Sequence, residues 1–161
     1  MSEVPILKDL TISQITRCQK NGHSWLFVDR IEKVIPGKMA IGYKHFSCNE
    51  LFFSSHSIDK KYVPNFVVAE TLEQVFLMTF LVIPENKGKK TVTVSSDTSF
   101  NKQVMTGETM QIRSKLEHWG RGIARGYSEG YVSNEHVCLS KFTVAIPDII
   151  DSFKPKSRGN S

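Results

Sequence analysis

An imidazole and a carboxyl flank one loop of this chain: His56 precedes it, and Glu70 follows Pro64 by less than two turns of an expected helix. Most sequence neighbours of Glu70 are aliphatic, and a carboxylate among them is costly unless something satisfies it. A carboxyl shielded from water holds its proton to higher pH, which suits a group that must keep a proton and then donate it. The imidazole suits the complementary task, accepting a proton near neutral pH. An acid and a base converging on one pocket equip a site for elimination or isomerisation. Taken alone, each has an ordinary reading, since loop histidines are commonly surface groups and helix glutamates are commonly solvated or ion-paired.

Other chemistries lack their sequence signatures. The five histidines, His23, His45, His56, His118 and His136, show no His-x-x-x-His or other local metal spacing, so no metal is expected. There is no Gly-x-Ser-x-Gly, phosphate loop or dinucleotide glycine fingerprint, and Ser54 and Ser55 beside His56 read as loop hydroxyls. Cys18, Cys48 and Cys138 are odd in number and too far apart for a Cys-x-x-Cys unit. A reducing compartment is expected, and because the first residues carry acids and no apolar run, that compartment is the cytoplasm. Lys+Arg exceed Asp+Glu by 21 to 16, a net charge of +5 that favours acidic partners. Lys60, Lys61, Lys87, Lys89, Lys90, Lys102, Arg121 and Arg125 are candidate docking cations, although most surface cations are simply solvated. Nucleic-acid binding is not expected, for no basic stripe interleaved with aromatics is present.

The elements that must position these groups fit one domain over residues 1–146. At 161 residues the chain is large enough to bury roughly 70% of its unfolded surface in a single core. Thr11 and Gln14 have capping-box spacing ahead of Ile12, Ile15 and Cys18, which predicts a short amphipathic helix. Alternation from Trp25 to Ile35, broken at Asp29, predicts a strand; Pro36-Gly37 turns the chain, and Met39, Ile41, Tyr43 and His45 continue as its hairpin partner. From Asn65 to about Val82 apolar residues cover nearly every face. Glu70, Glu73 and Gln74 interrupt them well short of the ~18 needed for a membrane span, so this is a buried helix wrapped by other structure. Strand-like runs follow at 91–96, 110–118, 123–132 and 137–146, and residues 147–161 read as a flexible tail. One long helix and about six hairpin-joined strands give an α+β domain, an antiparallel sheet curled round a central helix.

Several segments in the same order resemble the hot-dog-fold 3-hydroxyacyl-acyl-carrier-protein dehydratases. Trp25-Leu26-Phe27-Val28-Asp29-Arg30 is similar to that family's Phe-Leu-Leu-Val-Asp-Arg, and Asn49-Glu50-Leu51-Phe52-Phe53 to its Asn-Glu-x-Phe-Phe. His56 stands fourteen residues before Glu70, as the family's base stands before its acid, with Pro64 and Gln74 in register. Phe100 to Glu108 is similar to its Phe-x-x-x-Val-x-x-Gly-Asp. The resemblance covers about residues 19–146.

The resemblance implies a dehydratase of fatty-acid or polyketide-type synthesis that needs no cofactor and acts on a 3-hydroxyacyl group carried by acyl carrier protein. It further implies dimers whose sheets join, often grouped as a trimer of dimers, with base and acid supplied by different subunits. By carry-over, His56 removes the α-proton and Glu70 protonates the leaving hydroxyl, while the backbone N–H of Asn65 polarises the thioester carbonyl and Gln74 orients the Glu70 carboxyl. Asn65, Gln74, Phe66 and Phe100 are the expected substrate-binding residues. Three positions depart from the pattern: Ser55 replaces the glycine before the base, Ser57-Ile58 replaces Phe-Pro after it, and Asn65 replaces the glycine after the helix-opening proline. The departures fit a specialised or weakened dehydratase. They also leave two alternatives, a non-catalytic subunit that binds acyl carrier protein or a partner dehydratase, and a hot-dog acyl thioesterase.

Overall fold

A computed structural model of the chain describes residues 5–22, 24–51 and 61–155. In chain order these residues form β1 (Leu7–Leu10), α1 (Ile12–Cys18), β2 (Arg30–Ile35), β3 (Met39–His45), α2 (Asn65–Leu81), a single 3-10 turn (Pro84–Asn86), β4 (Val92–Phe100), β5 (Thr109–Gly120), β6 (Ile123–Val132), β7 (Glu135–Ala145) and α3 (Pro147–Ser152). The strands make one antiparallel sheet of order β1-β2-β3-β5-β6-β7-β4, with α2 packed across it. This α+β arrangement is the hot-dog fold that the resemblance implies. Among the described residues, no helix is long and apolar enough to cross a membrane.

The close approach of α2 decides which strand residues point inward. On β3 the inward positions are Ala40, Gly42 and Lys44, and on β6 they are Ala124, Gly126, Ser128 and Gly130. A Cβ on Gly126 would stand 2.1 Å from the Lys115 carbonyl oxygen and 2.7 Å from Phe76, and one on Gly42 would stand 2.9 Å from Val75. The larger Met39, Ile41, Tyr43 and His45, expected from alternation to carry β3, therefore lie on the outer face or at its end. In the space so cleared, Phe76 stacks on Phe142 at 5.2 Å and Phe80 on Trp119 at 5.3 Å.

Several element boundaries differ from the sequence expectation, β4 among them, which runs on to Phe100 where the strand-like run stops at 96. The strand expected from Trp25 begins only at Arg30, because the backbone groups of Trp25 and Phe27 are taken by the Gln74 side chain. β1 has just four residues, of which only Leu10 is buried, too short for alternation to announce it; pairing with β2 creates it. Pro147–Ser152, read as part of a tail without periodicity, forms α3, where Pro147 opens the helix and Ile149 packs against the core. Elsewhere the expected signals act as written. Thr11 caps α1 and Gln14 reaches back to the Thr11 N–H at 2.8 Å. α2 starts at Asn65 directly after Pro64.

Candidate active site

Glu70 projects from the open end of α2. The first turns of this helix are incompletely covered: Asn65 is exposed, Phe66 retains 56% of its accessible surface, and Glu70 and Glu73 are half-buried. From Gln74 to Leu81, by contrast, every residue is buried. Asn65 takes ordinary right-handed helical backbone, so standing where the family has glycine requires no left-handed conformation there. Its N–H lies in the first helical turn, where donors have no intrahelical acceptor and the helix dipole is positive.

Gln74 is fully buried and makes four polar contacts. Its Nε2 donates to Glu70 Oε1 and to the Trp25 carbonyl, both at 2.8 Å, and its Oε1 accepts the Phe27 N–H at 2.8 Å. The Gln74 backbone carbonyl accepts from Gln19 Nε2 at 3.2 Å, which ties the end of α1 to the same point. One amide thus holds a carboxyl on α2 and the irregular segment leading into β2. That segment forms one wall of a groove of about 520 Å³, lined by Ser24–Phe27, by Asn49–Leu51 and by Phe66. Trp25, Leu51 and Phe66 all present exposed apolar surface to it.

A second clamp holds the opposite wall. Lys44, inward on β3 with a side chain only 4% exposed, places Nζ 2.5 Å from Glu50 Oε1 and 3.4 Å from Asp29 Oδ1. Asp29 Oδ2 also accepts the His45 N–H at 2.7 Å. Sequence reasoning missed this group, although two signals were present: Asp29 breaks the alternation before β2, and Lys44 falls in step with Ala40 and Gly42. Glu73 was missed as well. Burial pushes its carboxyl above the usual range, opposed by a hydrogen bond from the Thr93 hydroxyl on β4 and reinforced by the charge of Glu70.

The remaining expected residues are distributed unevenly. Phe100 ends β4 and packs against the core, and it is not part of the lining of the Trp25 groove. His56, with Ser54, Ser55 and Lys60, lies outside the described residues. Of the candidate docking cations, Lys102 is paired with Glu135 at 2.7 Å, Lys61 sits over Tyr62, and Arg121 lies over Phe153. The cysteines are free; Cys18 and Cys138 are buried, and burial raises the Cys138 thiol to about 12. Such a thiol is inert near neutral pH.

Comparison with known proteins gives the family. The model of the FabA-like domain matches residues 20–141. The 3-hydroxyacyl-acyl-carrier-protein dehydratase FabZ of Chloroflexus aggregans is 30% identical over 140 residues, covering 86% of this chain and 97% of that protein. Among solved structures, the dehydratase heterocomplex ApeI:P from Xenorhabdus doucetiae aligns at a TM-score of 0.72 over 83% of this chain and 90% of that one, with 9% identity. A hypothetical thioesterase with coenzyme A from Streptococcus pneumoniae aligns at 0.55 over 72% of this chain and 83% of that one, with 19% identity. The two structural likenesses speak to the fold alone. The family match spans Gln74, Glu70, both walls of the groove and the sheet from β2 into β7, and the chain belongs to the FabA-like family.

Proposed function

We propose that this protein dehydrates a 3-hydroxyacyl thioester carried on acyl carrier protein, giving a trans-2-enoyl thioester and water in fatty-acid or polyketide-type synthesis. The observation that carries the reading is the Glu70 carboxyl, bound by the same buried Gln74 amide that holds Trp25 and Phe27 in one wall of an open, largely apolar groove, although Glu70 itself is not part of that lining. In this mechanism His56 takes the α-proton, the Cα–H electron pair forms the double bond, and the C–O bond breaks as Glu70 protonates the departing hydroxyl. The Asn65 N–H polarises the thioester carbonyl, acidifying the α-carbon. Phe66 contacts the acyl arm at the groove, and Phe100 sits farther along the acyl path.

The reading includes a homodimer, or a trimer of such dimers, with acid and base from different subunits. β4 supports it: among the described residues this edge strand pairs only with β7, it exposes Val92 and Val94, and such an edge invites a further strand. The uncovered Phe66 at the start of α2 supports it too. Free cysteines fit a cytoplasmic location. A second reading, a subunit that pairs with a different dehydratase chain, is favoured by the altered residues around His56.

The test is mass spectrometry of the purified protein with short 3-hydroxyacyl-acyl carrier proteins, run beside His56→Ala and Glu70→Gln. Loss of 18 Da, about one water, that disappears in both variants is the expected result. Water loss that persists in both overturns the assignment of acid and base. No reaction at any chain length favours the partner-subunit reading, and release of carrier thiol indicates a thioesterase.

A further inference from the structure

We infer that Lys44 is a positioning residue for this reaction: its buried ammonium sets the separation of the two groove walls by holding Glu50 and Asp29 together. The inference rests on the groove being the substrate's site, as the proposed dehydratase reading requires. Glu50 is part of the lining on one side, and Asp29 follows the lining residue Phe27 by two positions on the other. Lys44 Nζ touches both carboxylates, at 2.5 and 3.4 Å.

The asymmetry of burial argues for geometry over stability. Lys44 is 4% exposed, whereas Glu50 and Asp29 keep 27% and 48% of their side-chain surface. Burying a cation is costly, and an apolar side chain at such a position is often as stable or more so. The carboxylates have water available without Lys44, so its loss does not leave them stranded. What its loss removes is the attraction that draws the Asn49–Leu51 turn toward the Trp25–Asp29 segment. Gln74 fixes the latter segment to α2 and Glu70, so Lys44 sets where the opposite wall stands relative to the reacting end of the helix. The Lys44 ammonium also lies 6.0 Å from the centre of the buried Phe46 ring, which limits where it can move.

Trp25 reports on the wall directly. The chain has two tryptophans, and Trp119→Phe leaves Trp25 as the only one. In that background, a 3-hydroxyacyl-pantetheine is titrated by tryptophan fluorescence, and KM and kcat are measured on the carrier-bound substrate. Lys44→Met is expected to weaken binding and raise KM by about tenfold or more, with a smaller change in kcat. Lys44→Arg, which keeps the charge, should recover most of the affinity. Glu50→Gln should weaken binding in the same direction, and the Lys44→Met/Glu50→Gln double variant should be no worse than Lys44→Met alone. Glu50→Gln also serves if Lys44→Met does not fold. Unchanged affinity in folded Lys44→Met, additive losses in the double variant, or no Trp25 response in the unsubstituted groove would each overturn the inference. Failure of the dehydratase reading looks different: Trp25 responds and Lys44→Met weakens the response, yet no water is lost.

Discussion

The two halves of α2 are made of similar residues and meet different surroundings. From Gln74 to Leu81 the helix is enclosed, with Phe76 and Phe80 stacked on sheet aromatics and Thr79 accepting the Gly37 N–H at 2.7 Å through its backbone carbonyl. From Asn65 to Glu73 the sheet leaves one side open, and the exposed Phe66, the half-buried Glu70 and the half-buried Glu73 share it. The closed half supplies the rigidity and the open half carries the polar groups. Gln74 stands at the junction, its side chain turned toward the open end.

Substitutions in the two halves are therefore expected to separate activity from stability. The largest effect is expected from Glu70→Gln, which should lower dehydration by about a hundredfold or more while leaving the thermal midpoint nearly unchanged; a large drop in melting temperature would blur the distinction. In the closed half, Phe76→Ala should cost about 3–5 kcal/mol in urea denaturation, with turnover per folded molecule preserved. Gly126→Ala should be similarly one-sided, costing about 1–3 kcal/mol or more, because the Lys115 backbone cannot yield to the new methyl. At the junction, Gln74→Leu should do both. It removes the side-chain hydrogen bonds to the Phe27 N–H and the Trp25 carbonyl, at about 1–3 kcal/mol, and the one to the Glu70 carboxyl, so turnover should fall beyond what the lost folded fraction explains.

The smallest effect sharpens the comparison through pH. Burial holds the Glu73 carboxyl above its ordinary 4.5, so the folded chain keeps this proton to higher pH than the unfolded chain does. As pH rises from the ordinary carboxylate range through the raised value, the unfolded state releases its proton first, and stability falls by that amount. Glu73→Gln removes this contribution. Its melting temperature should therefore decline less than that of the unsubstituted protein across that interval, and parallel curves would show that Glu73 carries no such penalty.

Much of the scaffold was legible because its signals are local. The capping box at Thr11, the proline before Asn65 and the apolar residues on nearly every face of α2 each act over a few residues, and the structure uses all three. The segment from Trp25 misled because its alternation is real but its hydrogen-bond partner is not a strand: Gln74, 47 residues from Phe27, takes the backbone groups. Alternation left the inward face of β3 undecided for a related reason. Periodicity distinguishes two faces, yet which one turns inward depends on the helix lying against the strand.

The sequence by itself determined most of the elements and the family resemblance, and it offered His56 and Glu70 as a candidate base and acid, since these readings depend on residue type and short spacing. The tertiary structure alone decided that small residues of β3 and β6 face α2, because the close helix leaves no room for larger ones. It also brought Lys44 between Asp29 and Glu50, and Gln74 between Glu70 and Trp25. The Lys44–Asp29 and Gln74–Trp25 contacts join residues that lie 15 and 49 positions apart in the chain, and a buried charge or amide finds such partners only once the sheet has closed around the helix.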